Sequence, residues 1–322
     1  MAKLRAAIAL LFLVFAGAPS LAQTYPDRPI HLIVPFAAGG LVDVLARMLG
    51  EELSKAFAQP IIIENRPGAG GNVGADAVAK SAPDGYTLLM TSAGIQSINQ
   101  FLYKSMPFDP EKAFAPVSLV ADMPMLVLVR SSTEIKSLQD LIVNAKANPG
   151  KLNFGSAGIG TTGHLGQALL AHAAGITLSH VPYRGAGPAV NDLVAGHIQG
   201  TVDNPPLVLP HIKAGTLTAL AVASPKRLPV LPDVPTAAEA GLPSWEVSSW
   251  FGVAAPAGTP PEIIRRLQSE IAQALLKSTV RQLFAESGMQ GSGNTSEEFG
   301  RFIRDERAKW AEVVRIAGIQ PN

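Results

Sequence analysis

Twice in this chain of 322 residues an apolar run ends in a glycine turn that opens a helix. "IHLIVPFAAGGLVDVLARMLGEEL" starts at Ile30, and "KLNFGSAGIGTTGHLGQALLAHAAG" starts at Lys151. In the first, Val42, Leu45, Leu49 and Leu53 recur at helical spacing after what reads as a buried strand. Elsewhere short apolar runs such as "YTLLMTSAG", "ITLSHVPYRG" and "LTALAVAS" alternate with helical stripes, the pattern of an α/β chain. The two turns share no sequence repeat.

The N-terminus carries a separate message. Lys3 and Arg5 precede an uncharged apolar run from Ala6 to Ala16, and Ser20-Leu21-Ala22 has the small-x-small form of a cleavage site. Residues 1–22 are therefore expected to be an export signal, cleaved after about Ala22. The mature chain then holds 24 basic and 25 acidic residues, a net charge of −1 that argues against nucleic acid as a partner. No later stretch reaches the ~18 apolar residues of a membrane helix, so no direct insertion is expected after signal removal. Cysteine is absent. Stability must come from core burial without disulfides, and no lipidated cysteine can tether the chain. The expectation is a monomer diffusing freely in the periplasm. Roughly 300 mature residues also exceed what one core usually organises, which predicts two lobes.

Gly158, Gly160 and Gly163 spell a formal G-x-G-x-x-G. A dinucleotide turn needs an acid about 20 residues further on to hold the ribose. The first carboxylate after Gly158 is Asp192, so the fingerprint fails and no cofactor is expected. No G-x-S-x-G, no GxxxxGK[ST] and no H-E-x-x-H occurs, and the six histidines form no i, i+4 ligand pair. The sequence asks for neither an enzyme nor a metal site.

Binding by helix ends remains. The first amides of a helix lack intrahelical acceptors and carry a partial positive charge, so a glycine turn there can cradle an anion. Neither turn contains lysine or arginine, and Ser156, Thr161 and Thr162 add hydroxyls, a set that suits a carboxylate. From Lys151 to Val190 there is no Asp or Glu. Both turns also read as plain strand–helix packing. Asp43, in the first turn of its helix, reads as a cap for backbone amides. His164 either reaches a ligand or satisfies a loop carbonyl, and Asp203 either takes a ligand amine or hydroxyl or acts in a hinge. Near the C-terminus, Thr259-Pro-Pro-Glu262 and Thr295-Ser-Glu-Glu298 both match a capping box. Trp310 falls on the apolar face of the second of these helices and reads as core.

The segments "PFAAGGLVDVLAR", "IENRPGAGGNVGADAVAKSAPDGYTLLM", "NFGSAGIGTTGHLGQALL", "HVPYRGAGPAVNDLVAGHIQGTVDN" and "WFGVAAPAGTP" resemble, in order, the solute receptors of the tripartite tricarboxylate transporter, the Bug family. The resemblance implies a type II periplasmic-binding fold: two α/β lobes joined by two linking strands, with one ligand in the cleft. Lobe 1 would span 23–123 and 247–322, and lobe 2 would span 124–246. It implies a carboxylate held by one loop from each lobe, Phe36, Ala37, Ala38, Gly39 and Gly40 in one, and Ser156, Ala157, Gly158, Gly160, Thr161 and Thr162 in the other. His164 follows the second loop, and Ser92, Tyr183 and Asp203 would line the remainder. Dicarboxylates, amino acids or aromatic acids are the implied ligands, and membrane transporter subunits the implied transient partners. A sensor feeding a signalling partner is the alternative; a secreted enzyme on the same fold is the further one.

Overall fold

A computed structural model describes residues 25–183, 185–319 and 321. The expected export signal, residues 1–22, lies outside the described residues. The chain forms two mixed sheets. The first holds β1 (Ile30–Val34), β2 (Ile61–Asn65), β3 (Thr87–Ser92), β4 (Phe114–Pro124), β10 (Ser248–Pro256) and β11 (Gln290–Gly291), in the order β11-β4-β10-β3-β1-β2. The second holds β5 (Leu126–Arg130), β6 (Asn153–Ser156), β7 (Ser179–Pro182), β8 (Gly200–Asp203) and β9 (Leu217–Val222), in the order β7-β6-β8-β5-β9.

One pairing scheme is used twice. β1 lies parallel between β2 and β3, and β10 runs antiparallel beside β3 and β4. Likewise β6 lies parallel between β7 and β8, and β5 runs antiparallel beside β8 and β9. Topology therefore repeats where sequence does not. In each sheet the chain leaves the middle strand of the parallel trio toward one neighbour, while the other neighbour is reached later, which opens a crevice at the carboxyl ends of the strands. The two glycine turns follow β1 and β6, so each sits at that crevice.

Helix α1 (Leu41–Phe57) follows the first turn and buries Val42, Leu45, Leu49 and Leu53 on one face. After α2 (Asn72–Ala79) and α3 (Leu138–Ala147), α4 (Thr162–Ala174) follows the second turn. The sheets join at a narrow waist. Only Met125 separates β4 from β5. Its N–H donates to Val247 O at 2.9 Å, and its carbonyl accepts from Ala223 N at 2.8 Å. The outgoing and returning crossings are thus hydrogen-bonded to each other.

Two helices went unread in the sequence. One is α5 (Ala186–Ala195)'s successor α6 (Pro205–Lys213), masked by three prolines, and the other is α8 (Ser278–Ser287), split from α7 (Pro261–Leu276) by the extended backbone of Lys277. The last helix, α9 (Ser296–Ile316), forms the predicted capping box: Glu298 N donates to Thr295 Oγ1 at 3.2 Å, and Thr295 N to Glu298 Oε2 at 2.9 Å. At Thr259 the box is absent. Pro260 precedes Pro261 and is held out of the helical region, so the helix begins one residue late and Thr259 Oγ1 donates to Pro256 O instead. Helix α9 packs on both β4 and α4, and Trp310 and Val313 share a buried cluster with Leu165 and Leu170.

Candidate ligand-binding site

A cavity of about 310 Å³ lies between the two sheets, at the lower end of the usual range for small-molecule sites. Phe36, Gly70 and Ser92 border it from the first sheet's loops, and Ile159, Gly160, Thr161 and Thr162 from the second sheet's. Both glycine turns therefore reach one space, by unequal amounts.

The first turn is held from behind. Asp43 is buried and accepts from Gly39 N at 2.9 Å, from Arg47 through Nε at 2.9 Å and Nη2 at 3.0 Å, and from Asn65 Nδ2 at 2.9 Å. Asn65 Nδ2 also donates to Phe36 O at 3.1 Å. The Arg47 guanidinium, helped by the Gly39 amide and Asn65, holds the Asp43 carboxyl down to about 2 in spite of its burial. Asp43 thus fixes the turn, as its position predicts. Of the five residues expected to grip ligand here, only Phe36 borders the cavity; Ala37, Ala38, Gly39 and Gly40 are exposed. The Gly39 amide, already bonded to a carboxylate, is no donor for an anion.

The second turn is braced by side chains as well. Gly160 N donates to His164 Nδ1 at 3.0 Å, and Gly158 N to Ser156 Oγ at 3.1 Å. Ser156 Oγ lies 2.7 Å from His180 Nε2, and the His164 and His180 rings stack at 3.8 Å. Burial, with His180 beside it, lowers His164 to about 4, so it is a neutral acceptor at neutral pH. Thr161 caps α4: its Oγ1 accepts from His164 N at 3.4 Å and donates to Gly158 O at 2.8 Å. Ser156, Ala157, Gly158 and His164 are framework of the turn and do not border the cavity. That leaves the Thr162 side chain and the Thr162 and Gly163 amides at the start of α4, which helix geometry deprives of an acceptor.

Tyr183 and Asp203 are also displaced from the cavity wall. Tyr183 donates to Asp192 Oδ2 at 2.7 Å, and burial together with that partner pushes its hydroxyl up to about 12. Asp203 is 5% exposed and accepts from Asn204 N at 2.8 Å, and burial raises its carboxyl to about 6. Ser92 does border the cavity.

The sequence reading missed most of the wall. After β3 the chain makes a π-type turn, Gly94–Ile98, then a single 3-10 turn, Asn99–Phe101. This irregular stretch brings Ile98, Asn99, Leu102 and Tyr103 to the cavity. Ser249, Trp250 and Phe251 close it because Phe251 is in register with Ser92 on β3. Ile319, beyond α9, completes it. None of the described residues lining the cavity is Asp, Glu, Lys or Arg. Among the described residues no three His, Cys, Asp or Glu side chains gather as for a metal ion. In the Ser156–His180 pair the hydroxyl has no open face: Ser156 is 1% exposed. The arrangement encloses and grips; it does not present a nucleophile.

Residues 45–319 match the family described as "Tripartite tricarboxylate transporter family receptor". The chain belongs to this family. Its relatives include Protein BugT of Bordetella pertussis, 42% identical over 311 residues, covering 96% of this chain and 95% of that protein. Among solved structures, R. palustris Rpa4515 with adipate is 38% identical with a TM-score of 0.83, covering 92% of this chain and 100% of that one. MatC from Rhodopseudomonas palustris with bound malate is 35% identical with a TM-score of 0.79, covering 90% and 100%. The twice-used sheet topology is thus the two-lobed type II periplasmic-binding fold, and this Bug-family chain is a solute-binding receptor, not an enzyme. Among the described residues no helix is long and apolar enough to cross a membrane.

Proposed function

We propose that this receptor captures one small carboxylate in the cavity between its lobes, taken as 23–123 with 247–322 and as 124–246, and delivers it in a closed form to membrane transporter subunits. The observation that carries the reading is the equivalence of the two turns: each follows the middle strand of its sheet's parallel trio, and both reach a single uncharged cavity. The carboxylate is placed at the start of α4, against the Thr162 hydroxyl and the first helical amides, where the helix dipole favours an anion. Phe36 and Ser92 face it from the other lobe. Ligand that bridges the lobes favours the closed state through contacts the open state lacks. The adipate and malate of the two Rhodopseudomonas receptors support an acid as the ligand class.

Trp250 gives the test. It is fully buried like Trp245 and Trp310, but of the three it alone lies at the cavity. Carboxylic acids titrated into the protein should change its tryptophan emission, and Trp250→Phe should remove that change while Trp310→Phe keeps it. An isothermal titration over the same acids that shows no heat of binding sinks the proposal.

A further inference from the structure

We infer that Glu306 is a positioning residue of the receptor: through one carboxylate oxygen it sets the cavity wall at Trp250 against α4, the helix whose start cradles the ligand. This rests on the reading of the cavity as the ligand site. Glu306 lies on α9 and is buried. Its Oε2 accepts from the Trp250 indole N–H at 3.0 Å and from the Trp310 indole N–H at 2.9 Å. The two indoles have different duties. Trp250, on β10, is fully buried at the cavity. Trp310, one turn along α9 from Glu306, is fully buried in the cluster that holds Leu165 and Leu170 of α4. The next residue repeats the grip. Arg307 Nη2 donates to Gln96 O at 3.1 Å, inside the Gly94–Ile98 turn that brings Ile98 and Asn99 to the cavity. Glu306 and Arg307 thus tie α9 to two stretches of the wall that are remote in sequence, and Trp310 carries that placement to α4.

Packing alone does not account for an acid at this place. An apolar side chain would fill the space without the cost of burying a charge. That cost is increased by Asp122, in register with Trp250 on β4, whose carboxyl is pushed up by burial and by Glu306. Lys309 pairs with Glu306 Oε1, so one cation stands against two acids. What an apolar residue cannot supply is an acceptor. Without one, two buried indole N–H groups are left unpaired. A single oxygen that serves both also fixes how far apart the two rings lie.

Calorimetric titration of the full mature chain with adipate and malate, together with amide hydrogen exchange of α4 in the ligand-free protein, tests this. Glu306→Gln keeps an acceptor where the indoles need it and removes the charge. Glu306→Asp keeps the charge and withdraws the oxygens by one methylene. The expected result is a Gln variant within about twofold of wild-type affinity and an Asp variant at least roughly fivefold weaker. Exchange across residues 165–170 should also quicken in the Asp variant more than in Leu267→Ala, each rise being scaled to the variant's loss of stability in denaturant. Leu267, on α7, is buried in a different core cluster from the two indoles. An Asp variant that binds like wild type, or a Gln variant that weakens more than Asp, overturns the inference. So does exchange in α4 that rises no more than in Leu267→Ala, because Glu306 is then ordinary core. If the wild type binds neither acid, the carboxylate reading falls, and the exchange comparison alone decides the role of Glu306.

Discussion

Gly160 and Leu102 meet across the two lobes so closely that an ideal Cβ on Gly160 would lie 2.3 Å from Leu102 Cδ1. Gly160 also has a φ of +79°, in the left-handed region. Both lobes therefore depend on a missing side chain to close on the cavity. Gly160→Ala should hold them apart and weaken ligand binding by about tenfold or more, ~1.4 kcal/mol. Backbone strain is controlled by Gly175→Ala, where φ is +60° and nothing lies within 4 Å of an added Cβ. If the clash is the cause, Leu102→Ala in the Gly160→Ala background restores part of the affinity, a coupling that a double-mutant cycle reads directly. Independent effects of the two substitutions would refute it.

Thr161 acts by shaping the turn. Its N–H donates to Gly158 O at 3.3 Å, while its hydroxyl caps α4 and ties back to the same carbonyl. Thr161→Val keeps the shape and removes the hydroxyl, and should cost ~1 kcal/mol of stability, as helix caps do. Ligand affinity should fall with it, while Thr161→Ser retains both. Denaturant unfolding and calorimetric titration of the two variants separate these outcomes; a Val variant with wild-type affinity would show that the hydroxyl is remote from the anion.

Asp43 should matter to binding although it touches no cavity. Asp43→Ala leaves the Gly39 amide without its acceptor, removes one of the two acceptors of Asn65 Nδ2, and frees Arg47. A loss of about 1 kcal/mol of stability is expected for the hydrogen bonds removed, with affinity falling because the turn at Gly39 and the Asn65 amide that tethers the Phe36 carbonyl lose their shared anchor. Arg47→Gln, which keeps the carboxylate, should do less. Equal effects from the two variants would place the function in the charge pair and not in the carboxylate's hold on the turn.

What was legible in the sequence was local. Strand, glycine turn and helix lie side by side at both Gly39-Gly40 and Gly158–Gly160, so contiguous signals sufficed to find two strand–turn–helix units on an α/β chain. The Thr295–Glu298 box was readable for the same reason. Thr259 was misread because Pro260-Pro261 shifts the helix start, a clash that the spacing of Thr and Glu does not encode. The cavity wall was hidden because it is made by pairing. Trp250 and Phe251 reach Ser92 through strand register, and Ile319 arrives at the end of a helix that crosses to the other lobe. The His164–His180 stack needs β6 and β7 to lie side by side. The glycine amides that a pattern offers to a ligand are taken by Asp43, Ser156 and His164, partners that only the fold reveals.

Asp203 and His164 should oppose each other as pH changes. Burial raises Asp203 from 3.8 to about 6, so its contribution to stability is complete below about 3.8 and is lost as pH rises through about 6. Burial lowers His164 from 6.5 to about 4, so its contribution is present above about 6.5 and is lost as pH falls through about 4. Over the shared window the two slopes have opposite signs and partly cancel. Asp203→Asn removes one of them and keeps the acceptor for Asn204 N. Its unfolding free energy relative to wild type should therefore improve from pH 4 to pH 7, by on the order of 3 kcal/mol for a shift of this size. The variant should also lose stability more steeply than wild type on acidification from 6.5 to 4, now that the His164 slope is uncompensated. Chemical denaturation of both proteins across that range checks the sign. A difference that stays constant with pH would mean that the Asp203 carboxyl titrates alike in the folded and unfolded chain, and that its burial carries no electrostatic cost.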